Sequence, residues 1–430
     1  MNRLKRYENY KDSGVEWLGE IPEHWEIMKT THVFNKIGSG TTPTSTDTKY
    51  YDGEINWLQT GDLTDNIISE TSKKITYKAL KDFSTLKIYP KNSLVIAMYG
   101  ATIGKAGILD IETATNQACC VLSNAKQILE KYAFYWFLAS KNNIISMGYG
   151  GGQPNISQDL IKSLRITIPT RDEQRKIASF LDDKTAQIDE VISQKEKLIE
   201  LLKERKQIVI NDAVTKGLDK DVEFVDSDVE WIGKIPKHWE ISKVKNIFKL
   251  IIEPAPKANE EELLSIYTDI GVRPRKELAE KGNKASTTDG YWRVKKGDFI
   301  VNKLLAWMGA IGLSEYEGVT SPAYDILRAK KDIVGIYYHE LFRLKVFSQE
   351  MKKHSRGIMD MRLRLYFDKF GDILIPYPSY DEQIKIVEYI EKQTSKIDNA
   401  IALQQNYISK LKEYKASLID SVVTGKVKVS

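Results

Sequence analysis

The stretch Asp12-Ser13-Gly14-Val15-Glu16-Trp17-Leu18-Gly19-Glu20-Ile21-Pro22-Glu23-His24-Trp25-Glu26 returns later as Asp226-Ser227-Asp228-Val229-Glu230-Trp231-Ile232-Gly233-Lys234-Ile235-Pro236-Lys237-His238-Trp239-Glu240. A second block, Pro169-Thr170-Arg171-Asp172-Glu173-Gln174, returns as Pro378-Ser379-Tyr380-Asp381-Glu382-Gln383, and this match continues without a gap to Thr215 and Thr424. A unit of about two hundred residues is far longer than the roughly 20 to 50 residues of solenoid repeats. We therefore predict two tandem copies, each a globular domain with an appended segment.

Composition permits a nucleic-acid partner without demanding one. The chain has 430 residues and a net charge of +5, and clustering of charge on one face matters more than the total. The two cysteines, Cys119 and Cys120, are adjacent, so they form neither a disulfide framework nor a spaced set of zinc ligands. Apolar runs such as Leu94 to Met98 are too short for a membrane span, and no apolar stretch follows the polar start. We expect a cytoplasmic protein without a membrane or metal partner.

The second repeated block marks the start of a long helix in each copy. Thr170 with Glu173, and Ser379 with Glu382, each form a capping box after a proline. Apolar residues then recur on a heptad, which is the period of a coiled coil; they are Leu181, Ile188, Ile192, Ile199, Leu202 and Val209 in the first copy, and Ile390, Ile397, Ile401, Ile408, Leu411 and Leu418 in the second. Polar residues interrupt both seams at equivalent places, Lys195 and Gln404.

Two arrangements of these helices remain open. In the first, each helix packs on its own domain or forms a homodimer. In the second, which we favour, the two helices pair antiparallel within one chain, because two copies of one unit can be related by a pseudo-dyad. The predicted fold is then α+β: two tandem pseudo-symmetric globular α/β domains separated by two long antiparallel coiled-coil helices of roughly 60 Å. The expected boundaries are a first domain at 1–168, a first helix at 169–216, a second domain at 217–377, and a second helix with a tail at 378–430.

We call the two repeated stretches, Asp12–Glu26 and Asp226–Glu240, the tags. The segment between the tag and the long helix is rich in strands and turns in both copies. The two copies are more alike at the tag and the helix than in this segment. Lys91–Ile96 resembles Lys296–Val301, and Gly100–Gly104 resembles Gly309–Gly312. A shared scaffold with divergent loops suits two related ligands held in equivalent poses. Two different short DNA sequences fit this description.

Three loops are candidates for contact with DNA. In the first copy these are Gly38–Pro43 and Tyr149–Asn155, where glycines permit close approach and polar groups can meet phosphates and base edges. The second copy has His354-Ser355-Arg356-Gly357 followed by Arg362 and Arg364, whose guanidinium groups can grip guanines or phosphates. The alternatives are flexible surface loops for the first two and an exposed strand face for the arginines.

No catalytic constellation is visible. Gly100-Ala101-Thr102-Ile103-Gly104-Lys105-Ala106 is one residue short of a P-loop and lacks the hydroxyl that holds Mg²⁺. Gly38-Ser39-Gly40 lacks the third glycine of a dinucleotide-binding fingerprint, and no adenine-methylation motif of the Asn-Pro-Pro-Tyr type occurs. His24 and His238 lie beside tryptophans in the repeated tag, which indicates a structural role. We predict a chain without catalytic activity of its own.

The whole pattern resembles the specificity subunit of type I restriction-modification systems. The resemblance is carried by the doubled tags, Gly40-Thr41-Thr42-Pro43, Thr102-Ile103-Gly104-Lys105 with Thr115-Asn116-Gln117, and the doubled Pro-x-x-Asp-Glu-Gln helix starts. It implies two target-recognition domains, each contacting one half of a bipartite double-stranded DNA site, and helices that set the spacer and bind two methyltransferase subunits carrying S-adenosylmethionine. It also implies two motor-nuclease subunits that use ATP and Mg²⁺, while this chain itself binds no cofactor.

The residues expected to bind DNA follow from the loops and the resemblance together. They are Ser39, Gly40, Thr41, Thr42, Tyr99, Lys105, Asn116, Gln117, Gly151, Gln153, Asn155, Asn302, Lys303, Arg356, Arg362 and Arg364. The second copy departs from the family pattern, because Thr320-Ser321-Pro322-Ala323 replaces the Asn-Gln pair. The two half-sites should therefore differ. The competing hypothesis is a tandem-repeat coiled-coil scaffold that joins protein partners without binding DNA.

Overall fold

The structure, a computed structural model, describes residues 5–148, 154–257, 259–278, 288–357 and 362–429. The chain divides into two compact units: unit 1 contains Met1–Lys195 and Gln405–Ser430, and unit 2 contains Glu196–Gln404. Each unit therefore combines a sheet-rich region with one part of each long helix. The divisions fall directly after Lys195 and Gln404, the two polar residues that interrupt the heptads.

Unit 1 begins with the tag, which forms a short hairpin. Its strands are β1 (Tyr10–Asp12), β2 (Glu20–Pro22), β3 (Glu26–Lys29), β4 (Phe34–Gly38), β5 (Tyr51–Leu58), β6 (Asn66–Ile68), β7 (Lys73–Ile75), β8 (Leu94–Ala97), β9 (Ala106–Leu109), β10 (Ala114–Thr115), β11 (Cys119–Ala125) and β12 (Arg165–Ile168). Its helices are α1 (Thr30–Val33), α2 (Tyr77–Asp82), α3 (Glu130–Ser146), α4 (Gln158–Ser163) and the first part of α5 (Arg171–Lys216).

A five-stranded sheet in the order β4-β11-β8-β9-β6 carries the core of unit 1. The strands β8 and β9 are buried along their whole length, as expected for continuous runs such as Leu94-Val95-Ile96-Ala97. A three-stranded sheet, β10-β5-β7, packs around Trp57 and Ile75. Both cysteines lie on β11 and are buried and unpaired, and burial raises the pKa of the Cys120 thiol to about 12. They are therefore core residues.

Unit 2 repeats this plan. Its strands are β13 (Phe224–Asp226), β14 (Lys234–Pro236), β15 (Glu240–Lys243), β16 (Phe248–Ile251), β17 (Leu264–Tyr267), β18 (Gly271–Pro274), β19 (Trp292–Val294), β20 (Phe299–Asn302), β21 (Ile311–Leu313), β22 (Gly318–Thr320), β23 (Tyr324–Ala329) and β24 (Leu374–Tyr377). Its helices are α6 (Val244–Ile247), α7 (Gly335–Phe342), α8 (Lys345–His354), α9 (Phe367–Phe370) and the first part of α10 (Tyr380–Val423).

The large sheets of the two units correspond in four strands, whereas β10-β5-β7 of unit 1 and the two-stranded sheets β17-β18 and β19-β22 of unit 2 differ in strand number. The order β16-β23-β20-β21 in unit 2 reproduces β4-β11-β8-β9 of unit 1, and the hairpin pairings β1–β2 and β3–β12 return as β13–β14 and β15–β24. The predicted α+β class with two similar sheet-rich domains is confirmed.

The strand register corrects one equivalence drawn from sequence. Ile96 pairs with Ala106 in unit 1, and Val301 pairs with Ile311 in unit 2, so the two hairpins are related by a shift of 205 residues. Gly104 is therefore the counterpart of Gly309, and both have positive φ, +73° and +92°. The alignment of Gly100–Gly104 with Gly309–Gly312 was wrong, because a short Gly-Ala-x-Ile-Gly likeness outweighed the strand positions. Both hairpin loops have the same length.

The two long helices lie antiparallel in each unit. In unit 1 the Lys415 Nζ atom lies 2.6 Å from an Asp189 carboxylate oxygen, and the Lys195 ammonium lies 4.6 Å from the centre of the Tyr407 ring. Residue numbers along α10 therefore decrease as those along the facing α5 increase, so the two helices run antiparallel. In unit 2 Lys206 pairs with Asp398 at 2.7 Å, and Ile210, Ala213 and Val214 join a core with Ile386, Val387 and Ile390.

These two ion pairs are equivalent by the repeat. Asp189 and Asp398 are 209 positions apart, as are Lys206 and Lys415. Of the predicted heptad residues, Leu181, Ile188, Ile192, Ile199, Val209, Ile390, Ile408 and Leu418 are buried, and Leu202, Ile397, Ile401 and Leu411 are half-buried. The predicted antiparallel coiled coil is confirmed within each unit. Since exposed ion pairs contribute only ~0–1 kcal/mol, the apolar seam supplies most of the stability.

Candidate nucleic-acid interface

The loop after β4 is held against the loop after β10. The Gly40 amide donates to the Thr115 Oγ1 atom at 3.0 Å and to the Asn116 carbonyl at 3.3 Å. A Cβ atom on Gly40 would lie 1.8 Å from the Thr115 carbonyl oxygen, so only glycine fits here. The Thr42 hydroxyl donates to the Gln117 Oε1 atom at 2.7 Å. The structure therefore brings together the two sequence-predicted clusters 39–42 and 116–117.

The hairpin loop between β8 and β9 approaches the same cluster. The Met98 amide donates to the Ala118 carbonyl, and the Met98 carbonyl accepts from the Ile156 amide, both at 2.8 Å. Partial burial raises the pKa of Tyr99, whereas a hydrogen bond with Gln117 acts in the opposite direction. Tyr99 and Asn155 thus lie within one loop assembly together with Gly40 and Gln117.

The predicted residues of unit 1 differ in accessibility. Thr42, Gln117 and Asn155 are exposed, and Ser39, Thr41, Tyr99 and Lys105 are half-buried. Asn116 is buried, and its Oδ1 atom accepts from the Ala118 amide at 3.1 Å, so its side chain supports the loop. Gly151 and Gln153 lie outside the described residues.

The equivalent loop assembly of unit 2 is built differently. Asn302 is buried, and its Oδ1 atom accepts from the Leu304 amide at 3.0 Å, so it shapes the turn from inside. The Lys303 ammonium donates to the Pro322 carbonyl and to Asp325, both at 3.1 Å. Burial raises the pKa of Asp325, and Lys303 opposes that shift.

The three predicted arginines of unit 2 have exposed side chains, and two of them are paired through their backbones. Arg356 and Arg364 exchange two backbone hydrogen bonds of 2.9 Å, and both are exposed, as is Arg362. The Arg356 guanidinium also donates to Asp368 at 3.0 Å. The Leu365 amide donates to the Lys303 carbonyl at 2.8 Å, which places Arg364 and Leu365 beside the hairpin loop.

Both units anchor their loops by the same hydrogen bond. The bond from the Ile156 amide to Met98 in unit 1 corresponds to the bond from the Leu365 amide to Lys303 in unit 2. Asn155 is accordingly the counterpart of Arg364. A common backbone frame therefore presents an amide in one unit and a guanidinium in the other.

Sequence reasoning missed one part of this surface, the tip of the second hairpin loop. Leu304, Leu305 and Met308 are 37%, 40% and 52% exposed. The signal was present in the sequence: four large apolar residues fall within Leu304-Leu305-Ala306-Trp307-Met308, between a buried strand and a glycine.

The repeated tags lie at the helix starts. His24 Nε2 lies 2.9 Å from a Glu173 carboxylate oxygen, and the amide and hydroxyl of Thr170 donate to the same carboxylate, completing the predicted capping box. Burial opposes ionisation of Glu173, but the hydrogen bonds from His24 and Thr170 hold its pKa below the ordinary value. His238, Glu382 and Ser379 repeat the arrangement. The structural role predicted for both histidines is confirmed.

Membrane-spanning helices and metal sites were both sought among the residues that the structure describes, and neither is present there. None of the helices in that part of the chain is long and apolar enough to cross a membrane. Within the same ranges, no three acidic, histidine or cysteine side chains are grouped in a way that would hold a metal ion.

This chain is similar to one protein family and to several individual proteins. Residues 22–201 match the sequence profile of a family described as the type I restriction modification DNA specificity domain. The MjaVIII type I restriction enzyme specificity subunit of Methanocaldococcus jannaschii is 23% identical over 95% of this chain and 94% of its own. The MjaIX specificity subunit of the same organism is 28% identical, over 57% of this chain and 56% of its own length.

Solved structures share the fold at low sequence identity. A chain from a structure of the type I R-M system, in a study of its assembly and conformational transition, has a TM-score of 0.68 at 14% identity, covering 94% of this chain and 98% of that chain. The HsdS subunit from Thermoanaerobacter tengcongensis has a TM-score of 0.54 at 13% identity, covering 95% and 98%.

Proposed function

We propose that this chain, which belongs to the type I restriction-modification specificity subunits, directs its complex to a bipartite DNA site, each unit reading one half. The observation that carries the proposal is the doubled loop assembly. In both units a hairpin loop and a second loop are joined by one equivalent backbone hydrogen bond, and polar or cationic side chains project from that frame. We assign no chemical step to this chain.

The contacts expected on DNA differ between the units. Thr42, Gln117 and Asn155 offer hydroxyl and amide groups, which suit adenine edges and phosphates. Arg356, with Arg362 and Arg364, offers guanidinium forks, which suit guanine edges and phosphates. Equivalent loops with different chemistry are expected to read two different half-sites.

The long helices supply a surface for the methyltransferase subunits. Tyr407 and Tyr414 in unit 1, and Leu201 and Ile208 in unit 2, are each seven residues apart and 43% to 53% exposed. Apolar side chains at heptad spacing on a helix are typical of a helix–helix interface. We expect two methyltransferase subunits with S-adenosylmethionine here, and two motor-nuclease subunits with ATP and Mg²⁺ in the complete assembly.

The same helices are proposed to set the number of unspecified base pairs between the half-sites. Inserting four residues after Lys195 adds about one helical turn, or ~5.4 Å, to the rod. The expected result is a changed spacer in the methylated sequence. If a folded insertion variant directs methylation with the original spacer, the proposal that the helices set the spacer length is excluded.

The first experiment is methylome sequencing of cells that express this chain with its cognate methyltransferase subunit. We expect a bipartite adenine-methylation motif that is absent when the methyltransferase is expressed alone. A soluble, co-purifying complex that produces no motif would instead favour the protein scaffold. Binding of that complex to DNA should also weaken as salt rises, because phosphate contacts release counterions.

A further inference from the structure

We infer that the tip of the second hairpin loop, residues 304–308, is an apolar recognition element that packs against base surfaces within the half-site read by unit 2. The inference rests on the proposed function and names a contact class within it. The apolar surface of a base pair is the thymine methyl group or the face of a partly unstacked base. Either would be contacted by Leu305 and Met308.

The tip is rigid although it is exposed. The Leu304 amide donates to Asn302 Oδ1, the Leu305 amide to the Asn302 carbonyl, and the Met308 amide to the Leu305 carbonyl, at 2.9 to 3.0 Å. Ala306 is fully buried and packs in the hydrophobic core of unit 2, which anchors the turn. An apolar turn with its backbone amides paired in this way avoids the cost of ordering its backbone on binding.

The surroundings of the tip favour a polyanion over a protein or a membrane. The Lys352 ammonium lies 4.8 Å from the centre of the Trp307 ring, and the Leu365 amide binds the Lys303 carbonyl. Three cations of the loop and of the segments next to it are ion-paired with four carboxylates, Lys303 with Asp325, Lys353 with Glu230 and Glu350, and Arg356 with Asp368. Lys352, Arg362 and Arg364 add further positive charge, and Asp269, whose carbonyl shares the Arg343 guanidinium with the Gly309 carbonyl, adds one negative charge. The net positive charge around an apolar tip matches DNA, where phosphates surround apolar base surfaces.

The first unit has no such tip on the same frame. By the strand register, Gly100, Thr102 and Ile103 occupy the places of Leu305, Trp307 and Met308. The two loops have equal length, so the apolar tip arises from substitution and not from insertion. It is therefore expected to distinguish the half-site of unit 2 from that of unit 1.

The test uses the full chain in complex with its methyltransferase subunit. Leu305→Ser and Met308→Ser remove exposed apolar groups and should leave folding intact, and Ile67→Ser, a 54% exposed apolar residue of unit 1, is the matched control. Binding is measured on the duplex defined by methylome sequencing and on variants with each base pair changed. We expect each tip variant to bind the cognate duplex about tenfold more weakly and to lose preference only within one half-site.

Two further duplexes identify the base surface. Replacing thymine by uracil in that half-site should weaken the wild-type complex if methyl groups are contacted, and 2-aminopurine fluorescence should rise if a base step is opened. Equal losses on cognate and unrelated DNA, unchanged binding, or loss of the methyltransferase subunit would each overturn the inference. A wild-type complex without any sequence preference would overturn the proposed function itself.

Discussion

Two buried tyrosines tie the ends of the long helices to the sheet-rich regions, and their removal should have unequal effects. In unit 2 the Tyr337 hydroxyl donates to the Val214 carbonyl at 2.8 Å. In unit 1 the Tyr132 hydroxyl lies 3.1 Å from the Val423 carbonyl and 2.6 Å from the Thr167 hydroxyl, and Thr167 also lies 3.1 Å from that carbonyl.

The difference between the units decides the magnitude. Tyr337→Phe leaves the Val214 carbonyl buried without this donor, because Pro376 occupies the position of Thr167 in unit 2; an orphaned buried acceptor costs about 1–3 kcal/mol. Tyr132→Phe leaves Thr167 free to donate to Val423, so the loss is that of one ordinary hydrogen bond, about 0.5–1.5 kcal/mol. We expect the first substitution to cost about 1 kcal/mol more than the second.

Native-state hydrogen exchange measured by mass spectrometry is the assay, because it reports local opening at each helix end separately. Peptides covering 205–216 and 414–423 should lose protection in the respective variants, and more in Tyr337→Phe. Adding Thr167→Val to Tyr132→Phe removes the second donor and should bring the two ends level. Equal protection losses in the two single variants would show that donor number does not govern these helix ends.

Three further substitutions test the loops and the helix start. Gly40→Ala forces a Cβ atom against the Thr115 carbonyl and should lower the free energy of unfolding by about 2 kcal/mol, whereas Gly61→Ala, which has open space around it, should not; thermal unfolding compares them, and similar midpoints would contradict the steric argument. Glu173→Gln keeps a capping acceptor but removes its charge, and should lower the free energy of unfolding by about 1 kcal/mol at pH 7, because hydrogen bonds to a charged acceptor are stronger. Because the folded pKa of Glu173 lies below its ordinary value, this contribution is present above pH ~4.5 and is lost as the pH falls through the folded pKa, so the two stability curves should converge in acid. Arg364→Gln should relax the preference at one base pair by about 1–3 kcal/mol, measured by binding to single-substitution duplexes; an equal loss on every duplex would place this guanidinium on phosphate instead.

The features that sequence predicted well are those fixed by local chemistry. The capping boxes at Thr170 and Ser379 need only a hydroxyl and a glutamate three residues later, and both are formed. The heptad period likewise identified the helix seam, because side-chain position on a helix follows from spacing alone. Duplication strengthened both predictions, since each pattern occurred twice.

The features that could not be predicted from the sequence depend on contacts between segments that are distant along the chain. Asn116 and Asn302 have side-chain amides of the kind that contact DNA bases. Both are nevertheless buried, and their side-chain oxygens accept hydrogen bonds from loop amides. Both lie against segments that are distant in sequence, since Asn116 is hydrogen-bonded to Leu58 and Gly40 and Asn302 pairs with Tyr324, and no local pattern reports such contacts. The exposed apolar tip around Leu305 was missed for the opposite reason, because large apolar residues after a buried strand ordinarily continue the core.

The equal length of the two hairpin loops indicates how two copies of one ancestral domain come to read different half-sites. The paired strands fix both ends of the loop, and the Ile156 or Leu365 amide fixes its first residue, but the backbone between these points differs, since Gly100 has a φ of +85° and its counterpart Leu305 a φ of −123°. Replacing Tyr99-Gly100 by Leu304-Leu305 then changes the side chains and the local backbone of the tip, while the strand ends and the anchoring hydrogen bond are kept. Insertions would displace the neighbouring loop that carries Asn155 or Arg364 and alter several contacts at once. Substitution at constant loop length therefore lets each unit acquire a new half-site while the helices and their partner surface remain unchanged.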